Sequence, residues 1–329
     1  MIKFFKNETV FCIATLLAII SCFFVMPSLS YINWKTLLIL LLMMIVVQFL
    51  KALGIFDLLV SKLLFHVSNT RQLYFILVFS CFFFSMLITN DISLLTFVPF
   101  AIAALKKVSR EDLIILIVTL QTVAANLGSM IQPFGSPHNI FIFTASGVTV
   151  LEFVKLLLPY WIASFLMLLI IGFFIPKTNV KDCVGTAVEI NKQNLAKKTF
   201  AGVDYFLLFT FIAFYVLIGN LQAMPAVSLF FSKIVEGREL LCSILACQII
   251  SNVPGGMMIS GFSNNYADII IGVNIGGLGT LIASMANLIS YKIYAKEFNT
   301  TKGKFLLIFT AINLAFLFIL LGVRFIKSA

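Results

Sequence analysis

Apolar residues run through this chain in long stretches separated by short polar clusters. About 20 consecutive apolar residues carry a helix across a hydrocarbon core, whereas a membrane β-barrel shows alternating strands of roughly ten residues. The pattern predicts an all-α integral membrane protein. The first run, 9–26, follows Lys3 and Lys6. A secretory signal peptide is the rival reading, but the length of the run and the poor cleavage site at Pro27-Ser28-Leu29-Ser30 predict a retained helix within an N-terminal segment, 1–33. A second run, 34–50, ends at Lys51, and residues 54–66 then mix Asp57, Ser61, Lys62 and His66 into the apolar positions, as an amphipathic interfacial helix would.

Residues 72–88 and 92–105 flank Thr89-Asn90-Asp91, with Arg71 before and Lys106, Lys107 and Arg110 after. Basic residues favour the cytoplasm, so both ends belong on one side. A Thr-Asn-Asp turn is too short and polar for a far-side loop, which predicts a re-entrant hairpin over 72–105 with its tip near mid-membrane. Such backbone is tolerated only where it lines a protein cavity. Residues 111–148 form a long apolar element interrupted between Asn126 and Asn139, where two prolines and two glycines cannot continue a helix. This predicts a broken helix, and 151–175 span back.

A lysine-rich linker, 176–199, predicted to be cytoplasmic, is followed by the same order: a span at 200–219, an interfacial stretch at 223–235, a hairpin at 238–266 with Ser251-Asn252-Val253-Pro254 at its tip, a broken helix at 267–296, and a span at 305–326. The interruptions align: Asn126 and Asn139 match Asn274 and Asn287 at the same spacing, Gly128 falls on Gly276 and Ser136 on Ser284. Units 34–175 and 200–326 each cross three times, and an odd number of crossings sets the copies in opposite orientations. Inverted repeats with discontinuous helices are the signature of a secondary transporter. With the amino terminus cytoplasmic, seventeen of the 23 Lys and Arg fall inside. Arg324 and Lys327, outside at the carboxyl end, fit this orientation least well.

Composition agrees. Of 329 residues, 61% are hydrophobic and 11% charged, with mean hydropathy +1.10, against about 45–50% and 25% in soluble domains. No room remains for a sizeable soluble domain. The net charge of +10 would suggest nucleic acid in a soluble protein, but here the basic residues sit in loops and read as topology, so no nucleic-acid partner is expected. The six cysteines (Cys12, Cys22, Cys81, Cys183, Cys242 and Cys247) have no metal-ligand spacing. Absence of HExxH, GxSxG and P-loop motifs argues against an intramembrane enzyme or an ATPase, so neither enzyme chemistry nor an organic cofactor is expected. A channel fits two paired broken helices less well than alternating access does.

At Thr89-Asn90-Asp91, Asn126 to Asn139, Ser251-Asn252-Val253-Pro254 and Asn274 to Asn287, the sequence resembles the ion transporter superfamily. That group includes divalent anion:sodium symporters, citrate transporters, arsenite permeases and sodium/proton antiporters. The resemblance covers about 34–326. It implies hairpin tips meeting broken helices around sodium and substrate, an elevator-like transport domain and a dimerising scaffold, hence a homodimer; compactness and the absence of targeting signals point to the cell membrane. Two departures leave the substrate open. The chain is shorter than most members, and its first tip reads Asn-Asp where dicarboxylate symporters have Ser-Asn-Thr, as in the arsenite and antiporter branches.

An acid at membrane depth is costly, so Asp91 is the sharpest candidate, for neutralising sodium or for proton coupling; Asn90 or Asp91 would alternatively cap the second hairpin arm. The candidate cation ligands are Asn90, Asp91, Asn126, Gly128, Asn252, Asn274 and Gly276. The candidate substrate ligands are Thr89, Asn90, Ser136, Pro137, Asn139, Ser251, Asn252, Thr280, Ser284 and Asn287. The asparagines would otherwise satisfy broken backbone, the hydroxyls bond back to helix carbonyls, and Gly272-x-x-x-Gly276 serve helix packing. His138 reads as structural. The expected activity is cation-coupled transport of a small anion such as a di- or tricarboxylate, with sodium or a proton as the coupling ion. The alternative is an antiporter or metalloid efflux permease on the same scaffold.

Overall fold

The structure, a computed structural model, describes residues 9–55, 58, 67–180 and 194–328. Readings on Lys3 and Lys6, on most of the interfacial stretch 54–66 and on linker residues 181–193 lie outside the described residues. Chain order is α1 (Thr9–Cys22), α2 (Trp34–Ala52), α3 (Thr70–Leu87), α4 (Asn90–Lys107), α5 (Ile114–Ser129), α6 (Pro137–Ser146) and α7 (Val150–Phe174). It continues with α8 (Leu195–Ala201), α9 (Tyr205–Ala223), α10 (Pro225–Val235), α11 (Glu239–Ile250), α12 (Asn252–Ser260), α13 (Tyr266–Gly276), α14 (Met285–Glu297) and α15 (Lys302–Ser328). Among the described residues, six stretches are long and apolar enough to cross a membrane: Trp34–Ala52, Thr70–Leu87, Glu111–Ser129, Val150–Phe174, Leu195–Ala223 and Lys302–Arg324. The chain is an all-α, multi-pass membrane protein.

Local chemistry sets the element boundaries. The first N–H groups of a helix lack intrahelical partners. The Asn33 side chain accepts from Thr36, Asn69 from Gln72 and Asp204 from Leu207, while Thr149 and Glu152 form a reciprocal capping box at α7. Pro137 and Pro225 open α6 and α10 at the position where a missing N–H is harmless. The first interruption is narrower than the sequence pattern suggests. α5 continues to Ser129, so Asn126 and Gly128 lie in its last turn. Pro133 sets the limit, because its ring would meet the carbonyl four residues back, that of Ser129. The second interruption has no proline. There α13 ends at Gly276, and Gly279, at φ +109°, turns the chain away.

The order span, paired helices, broken helix, span recurs, and corresponding pairs pack alike. α3 lies against α5, and α11 against α13. Gly128 and Gly276 make these approaches possible. A Cβ on Gly128 would overlap the Phe82 carbonyl oxygen, and one on Gly276 would lie 2.9 Å from both Cys247 Sγ and Ile244 Cα. The two hairpins differ in length. α3 and α4 have 18 residues each, about 27 Å. α11 and α12 have 12 and 9, about 18 and 14 Å, well short of a hydrocarbon core of about 30 Å.

Gly128→Ala and Gly276→Ala are each expected to destabilise the protein by about 1–3 kcal/mol through overpacking, read as a lower unfolding midpoint in detergent. Gly303, whose Cβ would meet nothing within 4 Å, supplies the control: Gly303→Ala should leave the midpoint unchanged or slightly raised.

Candidate functional site

The two interruptions meet in the interior, and four asparagines tie them together crosswise. Asn126 Nδ2 donates to Asn287 Oδ1 at 2.8 Å, and Asn274 Nδ2 donates to Asn139 Oδ1 at 2.7 Å. Each acceptor then covers the broken backbone of its own unit. Asn287 Nδ2 donates to the carbonyls of Gly277 at 3.0 Å and Thr280 at 2.9 Å. Asn139 Nδ2 donates to those of Gln132 at 3.3 Å and Met130 at 3.5 Å. All four asparagines are buried.

The first hairpin tip joins this network. Asn90 Nδ2 donates to Asn126 Oδ1 at 2.9 Å, and the Asn90 backbone N–H reaches the Gly135 carbonyl at 3.3 Å. Ser284 Oγ also donates to Asn126 Oδ1, at 3.2 Å. On the other side, His138 Nε2 lies 3.0 Å from Ser136 Oγ and 3.3 Å from Asn274 Oδ1. At the second tip, Ser251 Oγ donates to Asn252 Oδ1 at 3.4 Å, and a Cβ on Gly277 would lie 3.1 Å from Asn252 Nδ2. Ser251 holds φ +76° and ψ 159°, a region that is essentially glycine-only and costs about 1–3 kcal/mol.

The result is a closed ring of uncharged groups. The N-termini of α4, α6, α12 and α14 converge on it, each carrying roughly half a positive charge. Further out, α4 packs on α14, and Lys106 in the last turn of α4 pairs with Glu297 at the end of α14 at 2.5 Å. Likewise α6 packs on α12, and both line a cleft of about 410 Å³ together with Tyr31, Tyr215, Gln222 and Tyr266.

Not every sequence candidate reaches the ring. The Asp91 residue is partly buried, and its carboxylate makes no hydrogen bond within the ring. The Asp91 backbone N–H is held by Asn90 Oδ1 at 3.0 Å. Gly128 and Gly276 lie in helix–helix contacts. Thr89 is buried and makes no side-chain cap hydrogen bond, Pro137 opens α6, and the buried Thr280 Oγ1 has no hydrogen-bond partner. Two supporting glutamines went unmarked in the sequence. Gln248 donates to the Gly276 and Leu278 carbonyls, each at 2.8 Å, and accepts from the Thr280 N–H at 2.9 Å. Gln121 Nε2 binds the Leu77 carbonyl at 3.1 Å and the Phe97 carbonyl at 3.4 Å, joining α5 to both arms of the first hairpin. An amide inside an apolar run was the available signal. Arg324, out of place by charge count, pairs with Asp268 at 2.8 Å.

An all-α membrane protein with discontinuous helices around a polar ring has the construction of a membrane transporter. The sequence model of the citrate transporter family matches residues 6–264, and the chain belongs to that family. It is similar to an uncharacterized transporter of Methanocaldococcus jannaschii, 30% identical over 341 aligned residues covering 94% of each chain. It is also similar to the inner membrane protein YbiR of Escherichia coli, 28% identical over 300 residues and 80% of each chain. A putative transporter, arsB, of Dictyostelium discoideum is 30% identical over 129 residues, 38% of this chain and 22% of that one. The protein is a transport protein rather than an enzyme, acting on a small molecule within a lipid bilayer.

Ser251→Gly should unfold at a higher temperature than Ser251→Ala. Both variants lose the hydroxyl, so the difference, about 1–3 kcal/mol, isolates the backbone strain at the second tip.

Proposed function

We propose that this protein is a secondary active transporter of small anions of the citrate or dicarboxylate type, coupled to a cation and working by elevator-type alternating access. The carrying observation is the convergence of four helix N-termini on a buried ring that contains no lysine or arginine. Backbone N–H groups and helix dipoles at such termini attract carboxylates without a fixed counter-charge. Family membership supports the citrate-like substrate class. Thr89, Asn90, Ser136, Asn139, Ser251, Asn252, Ser284 and Asn287 supply the polar contacts to substrate in this reading.

For the cation, the oxygens around Asn126 suit a hard ion: Asn90 Oδ1, Asn126 Oδ1 and Ser284 Oγ. Asp91, adjacent to Asn90 in sequence, adds negative charge nearby. The crosswise asparagine bonds support two paired units, and the excess of Lys and Arg on one side supports opposite orientations with the amino terminus and the linker cytoplasmic. The cleft beside α6 and α12 supports an access route from the outer face. The protein works as a homodimer in the cell membrane on the same reading. An antiporter or metalloid efflux permease on the same scaffold is the second reading, which the acid at Asp91 favours.

Uptake of labelled citrate, succinate and sulfate into proteoliposomes, under separate sodium and proton gradients, tests this. Sodium-driven uptake is expected, falling at least about tenfold in Asn126→Ala, which removes an amide worth several hydrogen bonds. Absence of anion uptake, with arsenite- or sodium-dependent proton movement in its place, overturns the reading.

A further inference from the structure

The two halves of the ring share three pairs of polar residues, and one of the differences between them is an imidazole. Positions 148 apart correspond: Asn126 with Asn274, Ser136 with Ser284, Asn139 with Asn287. The same offset pairs His138 with Ala286. Around Asn126, the side-chain oxygen accepts from two neutral groups that can turn, the Asn90 amide and the Ser284 hydroxyl. Around Asn274, the corresponding direct contact from Ser136 is replaced. His138 Nε2 stands between the two, 3.0 Å from Ser136 Oγ and 3.3 Å from Asn274 Oδ1.

The proton on that ring follows from the neighbours. Asn274 Nδ2 donates to two carbonyl oxygens, those of the Asn139 side chain at 2.7 Å and the Ile270 backbone at 2.8 Å. Its Oδ1 is therefore the atom facing His138, and an oxygen there requires a donor, so Nε2 carries the hydrogen. The elements packed on α6 are α2, α12 and α13. α12 has no ionisable side chain, α13 has only Tyr266 and Asp268 near its far end, and α2 has only Lys35 and Lys51 near its two ends. Among the described residues of these three helices, none places a carboxylate beside the imidazole.

We infer that His138 takes the place of a cation in the Asn274 half of the ring, leaving one cation position, around Asn126, where the paired architecture would otherwise offer two. The inference deepens the cation-coupled reading above and rests on it. A hard ion needs free oxygens. Around Asn126 the hydroxyl of Ser284 and the amide of Asn90 can turn toward an ion. Around Asn274 the imidazole N–H already points at the oxygen an ion would need, and it has no oxygen to offer in return. His138 is on this view a residue that sets coupling stoichiometry, and Ala286 is the empty counterpart that leaves the other position open.

Sodium titration of the purified full-length protein, with choline chloride holding ionic strength, tests this without transport. Stability conferred by an ion that binds only the folded state rises with the logarithm of its concentration, with a slope set by the number of ions bound. The wild type is expected to show the slope for one sodium ion, and His138→Ala a slope twice as steep. Ser136→Ala added to His138→Ala should return it to one. The converse variant, Ala286→His, should remove the wild-type response, and it decides the matter alone if His138→Ala does not fold. Equal slopes in wild type and His138→Ala, a two-ion slope in wild type, or an unchanged response in Ala286→His each overturn the inference. A wild type indifferent to sodium, with a response gained in His138→Ala, sustains the role of His138 while sinking the sodium-coupled reading.

Discussion

Backbone groups freed where a helix breaks inside a membrane must find partners within the protein, because lipid offers none. Everything distinctive here follows from how that requirement is met. Asn287 covers the carbonyls freed in its own unit and presents its oxygen to Asn126 of the other; Asn139 covers its own break and presents its oxygen to Asn274. Each asparagine is only half satisfied by its own unit, so neither broken helix is complete alone. The sharing also brings the N-termini of α4, α6, α12 and α14 to one place, since the second half of each broken helix must start where the first half of its partner unit ends.

Convergent N-termini create positive potential without a formal charge, and this suits a transporter better than an arginine would. A buried guanidinium paired with a substrate carboxylate forms strong charge-assisted bonds. A carrier must also release what it binds, and binding has to be weak enough for departure. Each helix terminus contributes about 0.3–1 kcal/mol, up to about 2 when partly buried. Several together attract an anion yet are diminished as soon as water enters. The described formal charges that are paired lie away from the ring, as Lys106–Glu297 beyond the far end of α4 and as Arg324–Asp268 at the beginning of α13.

The overall class and the broken helices were legible in the sequence because polar residues inside apolar runs are costly and therefore conspicuous. The equal spacing of Asn126–Asn139 and Asn274–Asn287 suggested a pairing of two units, and the structure joins those side chains in two hydrogen bonds, Asn126 to Asn287 and Asn274 to Asn139. What the sequence hid was direction. Asp91 drew attention as an acid in an apolar run, yet one residue along a helix is a turn of about 100°, and Asn90 rather than Asp91 bonds to Asn126. Gly128 and Gly276, two residues past their asparagines, were read as ligands that allow close backbone approach; in the structure they let α3 and α11 approach. Gln121 and Gln248 were passed over because attention stayed on residues at the interruptions. Their long side chains act from neighbouring helices, a relation that no linear spacing expresses.

The resemblance between the units stops outside the ring, and the difference bears on how the proposed alternating access would proceed. α4 and α14 run side by side for 18 and 13 residues and are fastened at their far ends by Lys106 and Glu297. α6 and α12 have only 10 and 9 residues and open onto the cleft bordered by Tyr215 and Gln222 of α9. A displacement of the ring relative to α9 thus has space on the α6 and α12 side. It is also opposed there, because Thr36 of α2 bonds Thr144 of α6 at 2.6 Å, and Gln222 of α9 bonds the Gly261 carbonyl just beyond α12. A neutral hydrogen bond contributes about 0.5–1.5 kcal/mol net, enough to bias a position and too little to lock it. Contacts of that strength, set beside open volume, are what a reversible movement between two arrangements needs, whereas the ring itself, bonded crosswise throughout, would travel as one body.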